Sequence, residues 1–279
     1  MYTNDMGAYR RPHRLHEALS LLARPHTVLA GGTDFYPARV GRAIEEDVLD
    51  VGAIDEMHGL AEDGWGWRIG AATTWSELIE ADLPPLFDGL RQAAREVGGR
   101  QIQNAGTIGG NLCNASPAAD GMPCLLALDA EVEIVGAVPR RLPVADFVTG
   151  PRRTALAPGE LLAAIHVPRP AVAARSGFLK LGARRYLVIS IAMAAATLEI
   201  ADGHVAAARI AVGACSPVAQ RLPALEAALA GRPRGRLAAC VEAAHLAPLS
   251  PIDDVRGSAA YRRDVVVTLL RRLLQGFAS

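Results

Sequence analysis

Adjacent glycines occur at two places where a backbone could meet an anion. The first is Val28-Leu29-Ala30-Gly31-Gly32-Thr33-Asp34-Phe35, an apolar run entering a tight turn. The second is Thr107-Ile108-Gly109-Gly110-Asn111, continuing through Ala115-Ser116-Pro117-Ala118-Ala119-Asp120. Glycine pairs after a strand let N–H groups approach a phosphate without Cβ atoms in the way. Two such turns brought together would cradle both phosphates of a dinucleotide, whereas each alone reads as a plain tight turn. Neither matches the G-x-G-x-x-G or P-loop spacing, so a Rossmann or nucleotide-hydrolysing reading has no support. Other chemistries fail on inspection. His13 and His16 are three apart with no carboxylate or cysteine partner in evidence, and read as surface residues. Gly-x-Ser-x-Gly and His-Glu-x-x-His are absent, and Cys113, Cys124, Cys215 and Cys240 have no iron–sulfur spacing. Without a nucleophile or an acid–base pair, a bound cofactor must carry the chemistry.

The elements that would position these turns follow from periodicity. Leu15, Ala18, Leu19 and Leu22 form one helical stripe, stopped by Pro25. Residues 27–30 read as a buried strand running into Gly31-Gly32, and residues 48–51 as a second strand. Residues 67–72 read as a strand, Thr74-Trp75-Ser76-Glu77 as a capping box, and Pro84-Pro85 as the start of a helix ended by Gly98-Gly99. Residues 100–121 are rich in Gly, Asn, Ser and Thr, yet are flanked by apolar elements on both sides. A helix at 123–130 and strands at 131–135 and 161–167 precede the break at Pro168-Arg169-Pro170. Beyond it, strands at 190–200 and 205–212 flank Asp202-Gly203, a hairpin signal. Helices are expected at 224–229, 237–245 and 258–274.

A chain of 279 residues exceeds the usual single-domain size. Its basic and acidic residues both number 29, which argues against a nucleic-acid face and a polybasic membrane anchor. The longest nearly uninterrupted apolar stretch, 187–198, is too short to cross a bilayer, and residues 1–14 are polar, so no leader is expected. The four cysteines show no Cys-x-x-Cys pair, which fits free thiols in a reducing cytoplasm. A single basic residue, Lys180, is lysine; all the others are arginine. A lysine that persists in so arginine-rich a chain is a candidate for a chemical role.

The order of residues 30–34, 107–111 and 115–120, together with Gly177-Phe178-Leu179-Lys180-Leu181 and Glu160-Leu161-Leu162, closely resembles the FAD-binding subunit of molybdenum hydroxylases. That family includes xanthine and carbon monoxide dehydrogenases, and the resemblance extends over nearly the whole chain. It implies an α+β fold: two N-terminal α/β FAD-binding subdomains of the vanillyl-alcohol-oxidase/PCMH type, residues 1–56 and 57–170, then a C-terminal small sheet with helices, residues 175–279. FAD would lie non-covalently between the two subdomains. Val28 to Phe35 would wrap its pyrophosphate through backbone amides, and Thr107, Ile108, Gly109, Gly110 and Asn111 would form the opposing cradle. Ser116 belongs to the same motif. Asp120 would accept from a ribose hydroxyl of the adenosine part, or cap the helix beginning near Pro123. Val97 and Leu162 would pack near the cofactor, although their type alone also suits a core. Lys180 would stabilise charge on the reduced flavin, with an ordinary solvated side chain as its competitor. Ile189, in the run Arg184-Arg185-Tyr186-Leu187-Val188-Ile189-Ser190, would contact the isoalloxazine ring. Relatives often carry Asp where this chain has Val188, and Arg where it has Gln103.

The implied function is electron transfer. In the family a large subunit carries the molybdopterin cofactor, and a small subunit carries two [2Fe–2S] clusters that deliver electrons to FAD. The acceptor is NAD, oxygen or another carrier. The 184–190 segment leans toward the xanthine-dehydrogenase type. Two rival readings are a free-standing FAD oxidoreductase acting directly on substrate and a non-catalytic assembly subunit with vestigial glycine motifs.

Overall fold

The computed structural model describes residues 7–185 and 187–278; Tyr186, in the run expected beside the flavin, lies outside the described residues. The chain starts with β1 (Tyr9–Arg10), α1 (Leu15–Leu21), β2 (Thr27–Leu29) and β3 (Val48–Asp50). The three strands form a parallel sheet in the order β1-β3-β2. Parallel neighbours need a crossover, and the one leaving β2 carries Gly31-Gly32 and a 3₁₀ turn at Pro37–Arg39.

The second unit contains β4 (Leu60–Glu62), β5 (Gly66–Gly70), α2 (Trp75–Glu80), α3 (Asp88–Glu96), α4 (Arg100–Ala105), α5 (Ile108–Asn114) and α6 (Gly121–Ala127). It continues with β6 (Glu131–Val135), β7 (Arg140–Pro143), α7 (Val144–Phe147), the small hairpin β8 (Val148–Gly150) and β9 (Arg153–Thr154), and β10 (Leu161–Pro168). Five strands form an antiparallel sheet in the order β4-β5-β10-β6-β7. Central β10 is buried from Leu161 through Val167, which explains a sequence that is apolar apart from His166, whose ring is hydrogen-bonded to Glu133. The capping box is present: the Thr74 hydroxyl accepts from the Glu77 amide, and the Glu77 carboxylate accepts from the Thr74 amide at 2.6 Å. Gly98 stops the α3 segment with φ +56°.

Within residues 100–121, to which the composition assigned no element, the chain forms α4 and α5. Glycine and asparagine are poor helix formers, but the Thr107 hydroxyl caps α5 and Ile108 and Leu112 are fully buried. Tertiary burial outweighs the low propensity.

The last unit is a four-stranded antiparallel sheet of β11 (Ala174–Leu181), β12 (Ala192–Ala201), β13 (His204–Gly213) and β14 (Gln220–Arg221), followed by α8 (Pro223–Leu229) and α9 (Ala259–Gln275). Asp202 and Gly203 both take positive φ at the hairpin between β12 and β13, as a two-residue turn requires. Alternation along β12 divides the sheet's faces. Ala192, Ala194, Ala196 and Leu198 join the core under α9, while Met193 and Ala195 join the core of the first two units. The expected helix at 237–245 is instead two 3₁₀ turns, Arg234–Cys240 and Ala243–Leu246. Fully buried Val241 forces extended backbone between them, and its carbonyl accepts from Arg271. The architecture is α+β, with two sheet-and-helix units at the N-terminal side and a four-stranded sheet backed by helices after them.

Candidate cofactor site

A cavity of about 490 Å³ runs between the first and second units, within the roughly 300–1,000 Å³ usual for cofactor clefts. One wall is Val28, Leu29, Ala30, Gly31, Gly32, Thr33, Asp34 and Phe35. The opposite wall includes Val97, Thr107, Gly109, Gly110, Asn111 and Leu162, with Trp75, Ile102, Cys113 and Asn114 among their neighbours. Fourteen of the nineteen residues expected at the cofactor therefore line one space.

The two glycine turns are built differently. After β2 the chain leaves the sheet, and among the described residues the amides of Gly31, Gly32, Thr33, Asp34 and Phe35 donate to no protein group. Unpaired N–H groups in successive residues form a nest for an anion. A Cβ on Gly31 would lie 1.8 Å from the Ala105 carbonyl oxygen, so only glycine lets this wall approach the helical wall so closely. In the second turn the amides are already used. Ile108 donates to the Thr73 carbonyl, Gly109 to Ala71, Gly110 to the Thr107 hydroxyl and Asn111 to the Thr107 carbonyl. A Cβ on Gly109 would fall 2.5 Å from the Ala71 carbonyl oxygen, so that glycine serves close packing. The Asn111 Oδ1 is buried without a hydrogen-bond partner beside Gly121, on the α6 side of the wall. The unpaired nest at the edge of a long, largely apolar cavity fits an anionic dinucleotide such as FAD.

Five expected residues lie off the cavity wall. Ile108 is fully buried beneath it, and Ser116 accepts from the Ala118 amide beside a separate small void. Ile189 is 54% exposed on the surface. Asp120 and Lys180 are the larger corrections. The Lys180 ammonium donates to Asp120 Oδ2 at 2.8 Å and to the Glu96 and Val188 carbonyls at 3.3 Å, and Ser190 donates to Asp120 Oδ1 at 2.6 Å. Both charged side chains are less than a tenth exposed. Burial pushes the Asp120 carboxyl above its usual range, against the pull of Lys180 and Ser190. Asp120 stands at the start of α6 yet makes no side-chain cap bond. It thus neither caps nor faces the cavity; it ties α6 to β11 and to the 188–190 segment. Lys180 is neither solvated nor an isolated charge.

Sequence reasoning named Asp34 but missed the charge of Arg39 at the cavity. Among the described residues the lining contains two carboxylates, Asp34 and Glu160, and one basic residue, Arg39. Arg140 grips Glu160 through two nitrogens, at 2.8 and 3.2 Å, and holds its carboxyl below the usual range. Arg39 pairs with Glu46 and lies 3.8 Å over the Phe35 ring. Cys113 is a free thiol exposed at the cavity wall.

Residues 4–170 match the family model described as "FAD binding domain in molybdopterin dehydrogenase", and residues 178–277 match "CO dehydrogenase flavoprotein C-terminal domain". The chain belongs to the FAD-binding subunits of the molybdenum hydroxylases. It is 31% identical to a xanthine dehydrogenase FAD-binding subunit of Escherichia coli O157:H7, over 97% of this chain and 95% of that one. The carbon monoxide dehydrogenase medium chain of Afipia carboxidovorans is 34% identical, over 96% and 95%. A solved structure of reconstituted carbon monoxide dehydrogenase from Oligotropha carboxidovorans superposes with a TM-score of 0.87 at 29% identity, covering 98% of this chain and 97% of that one. This flavoprotein subunit is thus part of a multi-subunit oxidoreductase, and the free-standing alternative gives way. Among the described residues no helix is long and apolar enough to cross a membrane.

Proposed function

We propose that this subunit holds FAD non-covalently as the electron outlet of a three-part complex. The large partner would carry the molybdopterin cofactor and the small partner the [2Fe–2S] clusters. The chemistry supplied by bound FAD is the conversion of single electrons into pairs for an outside acceptor, whether NAD, oxygen or another carrier. The protein's own work is to bind and orient. Gly31 to Phe35 offer amides to the pyrophosphate, and Val97, Ile102, Trp75 and Leu162 exclude water along the walls. The single observation that carries this reading is the run of five amides, Gly31 to Phe35, left without a protein partner at the wall of one cavity shared by both glycine turns. Among the described residues no histidine lines the cavity, which supports a non-covalent flavin.

Likeness to a xanthine dehydrogenase subunit favours a heterocycle such as a purine as substrate of the complex. Four free cysteines support work in the reducing cytoplasm. The test is purification and reconstitution. The complex should yield three polypeptides with molybdenum, iron and acid-releasable FAD, and heterocycle oxidation should require all three. Robust turnover by this chain alone, or flavin that stays with the acid-precipitated protein, would refute the proposal.

A further inference from the structure

The nest that awaits a pyrophosphate contains an anion of its own, the carboxylate of Asp34, on the fourth of its five residues. Left unpaired, that carboxylate could fold onto the free amides around it, as aspartates in turns do. It would also repel the two phosphates, which enter the same cavity. The structure shows what prevents this. Arg152 Nη1 donates to Asp34 Oδ2 at 2.9 Å, and the same nitrogen donates to the Asn114 side chain. Asp34 and Asn114 lie on opposite walls, so one guanidinium spans the cavity's edge.

The backbone is strained to deliver it. Arg152 sits between β8 and β9 at φ +57°, and its amide donates to the carbonyl of Ala115, itself at φ +46°. Two non-glycine residues in the left-handed region meet at one hydrogen bond, each at an energetic cost that the surrounding fold must sustain. Among the described residues Nε and Nη2 of Arg152 donate to no protein group, which leaves them for a further oxygen.

We infer that Arg152 is a positioning residue for the cofactor: it draws the Asp34 carboxylate out of the phosphate nest, neutralises it and latches the two walls together. The inference rests on the FAD reading, and the test separates them. The complex is stripped of flavin and titrated with FAD by fluorescence, with melting of the flavin-free protein as a check on folding. Arg152→Gln raises the FAD dissociation constant about tenfold, the scale of one charge contact in a partly solvated site. The double variant Asp34→Asn/Arg152→Gln recovers most of the lost affinity, because no carboxylate remains to compete. Wild-type affinity in Arg152→Gln overturns the inference. So does a double variant as weak as Arg152→Gln, since that result would mean a merely structural role. Failure of the wild-type complex to bind FAD would instead refute the cofactor reading itself.

Discussion

The two glycine motifs look alike in sequence and do different work. In the first, glycines free the backbone from internal bonding, and five consecutive amides face the cavity unpaired. In the second, glycines let a helix start approach the Ala71 backbone, and its amides are bonded within the protein. One binds; the other builds the wall against which binding takes place. A Gly-Gly pair therefore reports close approach, and whether the approaching group is a phosphate or a carbonyl depends on where the neighbouring N–H groups are spent.

The same contrast divides two charged pairs. Arg152 and Asp34 are both more than half exposed at the rim of the cavity, where an ion pair can exchange partners with an incoming anion. Lys180 and Asp120 are sealed between α6 and β11, where exchange would leave a buried charge alone. The rim pair suits ligand handling and the sealed pair suits domain attachment. Further attachment comes from Arg221, which reaches the Leu126 carbonyl at the end of α6 as well as Asp129 and Glu226.

Substitutions can break this comparison. The largest effect is expected at Gly31→Ala: with the Ala105 carbonyl in the way, the first turn must move and FAD retention is lost, read as disappearance of flavin absorption from the purified complex. Retained flavin would mean that the first turn is not the nest.

Lys180→Met should cost about 3 kcal/mol in denaturant unfolding, because it strands the buried Asp120 carboxylate. Adding Asp120→Asn should restore part of that loss. The flavin reduction potential should shift little, since the ammonium is already neutralised by Asp120. A large potential shift with unchanged stability would return Lys180 to the flavin.

The smallest effect is expected at Thr107→Ala. Loss of the α5 cap should lower stability by about 1 kcal/mol, with FAD affinity moving less than in Arg152→Gln. An affinity collapse there would show that the second motif binds the cofactor as directly as the first.

Much of the molecule was legible in the sequence because it is local. The Thr74–Glu77 capping box, the Asp202-Gly203 hairpin and the apolar run of β10 each depend on residues within a few positions of one another, where spacing and side-chain chemistry suffice. The glycine motifs and their order also sufficed to place the chain in its family, and the expected site residues make up half of the cavity lining. Tertiary structure alone decided who pairs with whom. Asp34 meets Arg152 across 118 residues, and Asp120 meets Lys180 across 60. Nothing in the local sequence of Lys180 says that its ammonium is spent on a carboxylate, nor does Gly110 announce that its amide belongs to Thr107. Ionic and hydrogen-bonding groups are defined by the partners that folding brings to them, and in a buried site those partners determine whether a charge holds a cofactor or holds the protein together.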